Sequence, residues 1–411
     1  MKLKPTLFAL ALVAGLALAG CGSDDEGAAA PDATGDAATD VAPATAAVPA
    51  TALPPPPQLN ARSFIVIDHA SGRVLAALEP DSRQEPASLT KLMTAYVVFH
   101  SLKEGRIKLG DLVTVSENAW RQASPKLGGS AMYIEVGTQV SVENLLQGMI
   151  VQSGNDATVA LAEHVAGTEA TFVQMMNNFA KRLGLTGTHF TDAAGMPNPE
   201  QYITARDAAL LANALIHEFP AYYKWYSQKQ FTWNDITQQN RNGLLWRDPS
   251  VDGVKTGHTK TAGYCLVTSA KRGDMRLVSA VMGTDSMRAR EDASSALLNY
   301  GFNFFETRRI YAAGEPLSTM RVWKGKQDEV GLTVGRDLYV TNQRGHVSSV
   351  KADFELPETL VAPLTKNKSV GKAKIVVDGQ TVATYDLYPT ADVPAAGFFG
   401  RAWDSLRLLF H

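Results

Sequence analysis

The chain has 411 residues, a length suited to two or three domains, and its 45% apolar, 19% charged and 8% aromatic make-up excludes wholesale disorder. Its 39 basic and 41 acidic residues nearly cancel to a net charge of −2, so no overall field favours nucleic acid as a partner. Two cysteines, Cys21 and Cys265, are too few for a disulfide framework or a thiolate-rich zinc site.

Residues 1–20 read as a secretory signal peptide: two lysines, an apolar run from Leu7 to Leu18, then small residues. The run is about a dozen residues, short of the roughly 20 that a membrane-spanning helix needs. It ends in Leu18-Ala19-Gly20-Cys21, which resembles the bacterial lipobox, where the cysteine thiol is acylated. That resemblance implies lipidation at Cys21 and a periplasmic, membrane-anchored lipoprotein, on either the inner or the outer membrane. Residues 21–57 are mostly Ala, Pro, Thr, Asp and Gly and cannot bury enough surface to fold, so they read as a disordered tether.

From Ser63 the pattern turns regular. Ser63–Asp68 and Arg73–Leu78 read as strands about a turn, and helical patterns follow at 87–103, 142–166, 169–184 and 206–218. Tyr264–Ala270 and Met275–Gly283 form a late hairpin, in which Cys265 reads as a packed structural thiol, and Asp292–Thr307 reads as a closing helix. Strands at both ends with helices between predict an α+β domain over 58–312, one antiparallel sheet packed on a helical cluster. Short alternating runs at Met320–Trp323, Leu332–Val334, Leu338–Thr341 and Val350–Leu356, with an Asp378-Gly379 hairpin turn, predict a small all-β domain over 313–392. Within 393–411, Phe398, Phe399, Ala402, Trp403, Leu406, Leu409 and Phe410 share one face of a helix. That segment is either a helix docked on its own β-domain or an interfacial membrane helix.

Ser-x-x-Lys occurs at Ser88/Lys91, Ser348/Lys351 and Ser369/Lys372. The second lies in a strand pattern, where positions three apart face opposite sides, and the third in a polar loop-like stretch. Ser88 and Lys91 instead open a helix marked by Pro86, where side chains three apart share a face. That helix is apolar nearly all round, its polar stripe is Thr90, Thr94 and Ser101, and Lys91 is off the stripe. A lysine aimed into a packed region tends to lose its proton, which a general base beside a serine requires. Ser153-Gly154-Asn155 falls between helical segments and Lys255-Thr256-Gly257 directly before the late hairpin; a further Ser-x-Asn at Ser116 to Asn118 shows how weak each triplet is alone.

In this order and spacing the three motifs resemble the penicillin-binding protein and serine β-lactamase signature. The longer segments PASLTKLMTAYV, VQSGNDATVALAEHVAG, QNRNGLLW, VDGVKTGHTKTAGYCLV and YGFNFFET resemble low-molecular-mass D-alanyl-D-alanine carboxypeptidases, over about residues 60–411. The resemblance implies the penicillin-binding protein/β-lactamase-like fold, no cofactor, no metal, peptidoglycan stem peptides as substrate and β-lactam antibiotics as inhibitors. It implies Ser88 as nucleophile, Lys91 as base, and Ser153 as proton relay to the leaving amine with Lys255 supporting it. Asn155 would bond the substrate amide or Lys91, and Thr256 and Arg241 the terminal carboxylate. The oxyanion hole would be the backbone N–H groups of Ser88 and of His258, the residue after Gly257. Such enzymes usually rely on a carboxy-terminal helix for anchoring, whereas this chain adds a lipobox.

Rival chemistries fit less well. No Gly-x-Ser-x-Gly elbow and no His-Glu-x-x-His or His-x-x-Glu-His occurs. A class A β-lactamase deacylates with a glutamate, but none of Glu163, Glu169, Glu200 and Glu218 begins a Glu-x-x-x-Asn stretch. A DD-endopeptidase would use the same residues, and a non-catalytic wall-binding lipoprotein would not need complete motifs.

Overall fold

The computed structural model describes residues 53–124, 129–346 and 349–409. In β1 (Ser63–Asp68) every residue is buried, because Ile65 and Ile67 face one hydrophobic core while Phe64 and Val66 face another. A strand apolar on both faces needs cover on both faces. It joins β2 (Val74–Leu78), β3 (Val251–Thr259), β4 (Gly263–Arg272) and β5 (Met275–Thr284) in an antiparallel sheet of order β2-β1-β5-β4-β3. The strands expected at the two ends of the domain thus pair with each other, β1 running against β5 from Ser63–Met282 to Asp68–Leu277.

One face of the sheet carries the helical cluster. Its centre is α1 (Lys91–Lys103), which buries every residue except His100 and Lys103, and around it lie α2 (Asn155–Ala166), α3 (Glu169–Arg182) and α4 (Ala205–Glu218). The opposite face is covered by α5 (Met287–Phe304), whose Leu297 and Leu298 join Leu266, Leu277 and Val281 in the second core.

Two helices differ from expectation. The pattern over 142–166 is not one helix: Val142–Gln147 is α-helical, Gly148–Gln152 widens into a π turn, and Ser153 is left-handed (φ 63°, ψ 30°) before α2 begins. The break is held by Asp156, whose buried carboxylate accepts the N–H groups of Met132 (2.8 Å), Tyr133 (2.7 Å) and Ala157 (2.9 Å). Asp156 thereby ties the start of α2 to the Met132–Tyr133 segment. The closing helix begins at Met287 rather than Asp292, because the Ser286 hydroxyl caps the Ala289 N–H at 3.0 Å. Phe305–Thr307, expected to be helical, instead start β6 (Phe305–Tyr311). The Thr307 hydroxyl there donates to fully buried Asp68 at 2.7 Å, which also accepts from the backbone and hydroxyl of Ser71.

The second half is all β: β7 (Ser318–Trp323), β8 (Glu329–Val334), β9 (Leu338–Gln343), β10 (Val350–Glu355), β11 (Leu360–Val361), β12 (Gly371–Val377) and β13 (Gln380–Pro389). β6 pairs with β9, and the others form a sheet of order β10-β12-β13-β8-β7-β11 over their own core. The Asp378-Gly379 turn joins β12 to β13 with both residues at positive φ, 50° and 83°, as a two-residue hairpin turn demands. At the amino-terminal edge the proline-rich segment already touches the body, since the Tyr300 hydroxyl donates to the Pro54 carbonyl at 3.0 Å. The last helix, α6 (Phe398–Leu408), buries none of its side chains; Phe399 is 86% and Leu409 just beyond it 79% exposed, while Asp404 accepts the Lys324 backbone N–H at 2.5 Å. Among the described residues no helix is long and apolar enough to cross a membrane.

A turn after α3 closes over the start of α1. Asp192 accepts the N–H groups of Ala194 (2.7 Å) and Gly195 (2.5 Å), and Gly195, at φ 89°, comes so close that a Cβ there would lie 1.8 Å from the Ala87 carbonyl oxygen. Gly195→Ala is therefore expected to lower stability by about 2 kcal/mol or more in chemical unfolding. An unchanged unfolding midpoint would refute this close approach.

Candidate active site

The three motifs meet in a cleft of about 480 Å³ lined by Ser88, Ser153, Asn155, Arg241, Thr256, Gly257 and His258, together with Ala194, Gly195 and Arg290. Each arrives on a different element. Ser88 lies in the 3₁₀ turn Ala87–Thr90 that leads into α1, so Lys91 stands one turn on and on the same side. The π turn and left-handed Ser153 swing that hydroxyl and Asn155 toward α1, and Lys255, Thr256 and Gly257 lie on the edge strand β3.

Lys91 is only 1% exposed. Its Nζ lies 3.1 Å from Ser88 Oγ, 2.7 Å from Asn155 Oδ1 and 2.7 Å from the Ala194 carbonyl oxygen. Burial pulls the amine down to about 7, Asp192 partly offsetting this and Arg241 adding to it. A neutral amine has two N–H groups and one lone pair. The two carbonyl-type oxygens can only accept, so they take the N–H groups, and the lone pair is left for the Ser88 O–H.

Lys255, also buried, has Nζ 2.9 Å from Ser153 Oγ and 3.2 Å from the Thr256 carbonyl oxygen. Burial first, then the charges of Lys91, Arg241 and Arg290, hold it well below an ordinary lysine. The His258 side chain is exposed and its ring lies against Tyr264 at 4.0 Å; slight burial and the neighbouring Arg290 and Arg241 lower its pKa. Arg241 is carried between Asn240 and Asn242, and Asn242 Nδ2 is tied to the Gly253 carbonyl at 3.0 Å.

The site also holds groups that the motifs do not contain. The Ala194 carbonyl is a backbone atom with no side-chain signature. Arg290 sits in α5, far along the chain from the motifs; it is buried and donates from Nη2 to the Arg241 carbonyl at 3.2 Å. Its charge beside Arg241 leaves the cleft with guanidinium groups and, among its described lining residues, no carboxylate.

The competing patterns are elsewhere. Ser369 donates to the Gly371 carbonyl at 3.0 Å and Lys372 lies on β12; Lys351 lies on β10, and Ser348 is outside the described residues. Ser116 caps a short helix through the Ala119 N–H at 3.0 Å. Cys265 is a buried free thiol, pushed up to about 11 by burial, and Cys21 falls outside the described residues.

The chain is similar to known proteins over both of its parts. Residues 50–286 match the family described as D-alanyl-D-alanine carboxypeptidase, and residues 305–395 match the one described as penicillin-binding protein 5, C-terminal domain. The chain is 45% identical over 364 residues to D-alanyl-D-alanine carboxypeptidase DacA of Escherichia coli, covering 88% of this chain and 90% of that protein. To DacC of the same organism it is 47% identical over 358 residues, covering 86% and 90%. The solved structure of penicillin binding protein 5 from Haemophilus influenzae superposes with a TM-score of 0.75 at 46% identity, over 82% of this chain and 99% of that one. Likeness at this level, across the sheet-and-helix half as well as the all-β half, means that the chain belongs to the D-alanyl-D-alanine carboxypeptidase family.

Proposed function

We infer that the protein hydrolyses the terminal D-alanine from peptidoglycan stem pentapeptides through an acyl-enzyme on Ser88, and that penicillins acylate the same serine. The observation that carries this reading is the buried Lys91 amine, 3.1 Å from Ser88 Oγ and 2.7 Å from each of two carbonyl oxygens that can only accept. Ser88 Oγ attacks the carbonyl of the penultimate D-alanine as its proton passes to Lys91. The N–H groups of Ser88 and His258 stabilise the oxyanion. Ser153, held by Lys255, relays to the leaving amine the proton that Lys91 took up, free D-alanine departs, and water then releases the shortened stem. The substrate carboxylate is drawn by Arg241 and Thr256, in a cleft whose described lining carries cationic but no acidic side chains. The absence of a carboxylate among those lining residues also counts against a β-lactamase that deacylates with a glutamate.

We propose a periplasmic, membrane-attached location, which is where an enzyme that trims stem peptides meets its substrate. The unburied apolar residues Phe398, Phe399, Trp403 and Leu406 of α6 support an interfacial helix rather than one docked on the β-domain. Cys21 supplies the second anchor through its lipobox-like setting.

Incubation with a fluorescent penicillin is expected to give one covalent adduct, at Ser88, and incubation with a stem pentapeptide to release D-alanine. Both should vanish in Ser88→Ala; adduct without D-alanine release would contradict the carboxypeptidase reading. Because the base is active only as the free amine, the acylation rate should rise tenfold per pH unit below about 7 and level off above it. A rate that still climbs through pH 9 would contradict a Lys91 amine titrating near 7. On cell fractionation, Cys21→Ser combined with removal of 398–411 should release the protein from membranes, and retention would contradict the two-anchor reading.

A further inference from the structure

Ser88 stands on a short turn whose own backbone hydrogen bond, from the Leu89 N–H to the Pro86 carbonyl at 3.1 Å, is supplemented from outside. The 3₁₀ turn has Pro86 at its amino-terminal cap, with no side-chain hydrogen bond there. Ala87 is left-handed at φ 48°, a conformation costly for a residue with a Cβ. The segment is therefore held from outside. The Asp192–Met196 turn presses on it at Ala87, and Gly257 packs on the other side, where a Cβ would lie 3.0 Å from the Pro86 carbonyl oxygen.

The third restraint is Glu85. Its Oε1 accepts the Thr259 hydroxyl at 2.7 Å and its Oε2 accepts the Thr261 hydroxyl. Thr259 in turn accepts the Ala262 N–H at 2.9 Å, and the Thr261 carbonyl accepts from Arg62 Nη1 at 2.9 Å. Both carboxylate oxygens are thus committed to the tight turn between β3 and β4. Glu85 is three residues before Ser88, and Thr259 is the residue after His258. The carboxylate joins the backbone that presents one oxyanion donor to the backbone that presents the other.

We propose that Glu85 is a positioning residue that sets the separation of the Ser88 and His258 N–H groups by clasping the β3–β4 turn. This rests on the reading of Ser88 as nucleophile and of those two N–H groups as the oxyanion hole. Oxyanion donors act on the transition state more than on the bound substrate, so loosening the clasp lowers kcat and the acylation rate while KM changes little.

The test compares wild type with Glu85→Ala, Glu85→Gln, Thr261→Val and Thr261→Ser. Each is assayed for kcat and KM on a stem pentapeptide, for acylation rate by a penicillin, and for thermal midpoint. Removing one oxyanion donor outright costs about 100- to 1000-fold in kcat, so displacing it in Glu85→Ala is expected to cost about 10- to 100-fold, with KM within about threefold. Glu85→Gln, which keeps one acceptor oxygen, should fall between. Thr261 is exposed, so Thr261→Val keeps the proposal testable should Glu85→Ala not fold; it should lower kcat several-fold, and Thr261→Ser should recover that loss. Wild-type kcat in a folded Glu85→Ala, or loss through KM alone, would overturn the clasp. Absence of D-alanine release or of a Ser88 adduct in the wild type would instead contradict the underlying reading.

Discussion

A lysine amine sealed from water is the constraint around which this cleft is arranged. Holding a group that ordinarily titrates at 10.5 at about 7 corresponds to about 5 kcal/mol of disfavoured charging. That is comparable with the whole stability of many domains. The surrounding structure must therefore enforce the burial. It does so with α1, apolar nearly all round and set at the centre of the helical cluster. It also supplies acceptors for the two N–H groups, so that the amine is dehydrated without being left unpartnered.

Those acceptors explain features that would otherwise look like local irregularities. The left-handed Ser153 and the π turn before it bring Asn155 to the amine, and Asp156 holds that break by satisfying the N–H groups of a neighbouring segment. The Asp192 turn presents the Ala194 carbonyl in the same way, with Gly195 needed because the turn passes against Ala87. The left-handed conformations of Ala87 and Ser153, which cost free energy locally, thus sit where the cleft needs a hydroxyl or carbonyl aimed at a lysine. Arg241 adds a positive charge that disfavours a proton on Lys91, and the charge of Lys91 in turn disfavours one on Lys255.

Much of this was legible in the sequence, and what was not has identifiable physical causes. The helix wheel around Lys91 gave its burial, because charge on an apolar surface is visible as composition and period. Alternation gave the strands, including the Asp378-Gly379 turn. The break at Ser153 was hidden, since apolar helical periodicity runs through it and the carboxylate–backbone bonds from Met132 and Tyr133 come from over twenty positions away. The Ala194 carbonyl has no side-chain signal. Arg290 comes from α5 through a tertiary approach that no local pattern encodes. The end of α5 was misplaced because Phe305–Thr307 suit either helix or strand, and pairing with β9 and the Asp68 contact decide it. The face of α6 was readable as apolar, but only the fold shows that the β-domain leaves it uncovered.

The central claim is that Lys91 is a neutral amine at physiological pH. The most direct measurement is a ¹³C NMR titration of protein labelled at lysine Cε, with the Lys91 signal assigned by its loss in Lys91→Arg. A titration midpoint near 7 is the predicted result. A midpoint near 10, with the resonance of an ordinary charged lysine throughout the neutral range, would contradict the account.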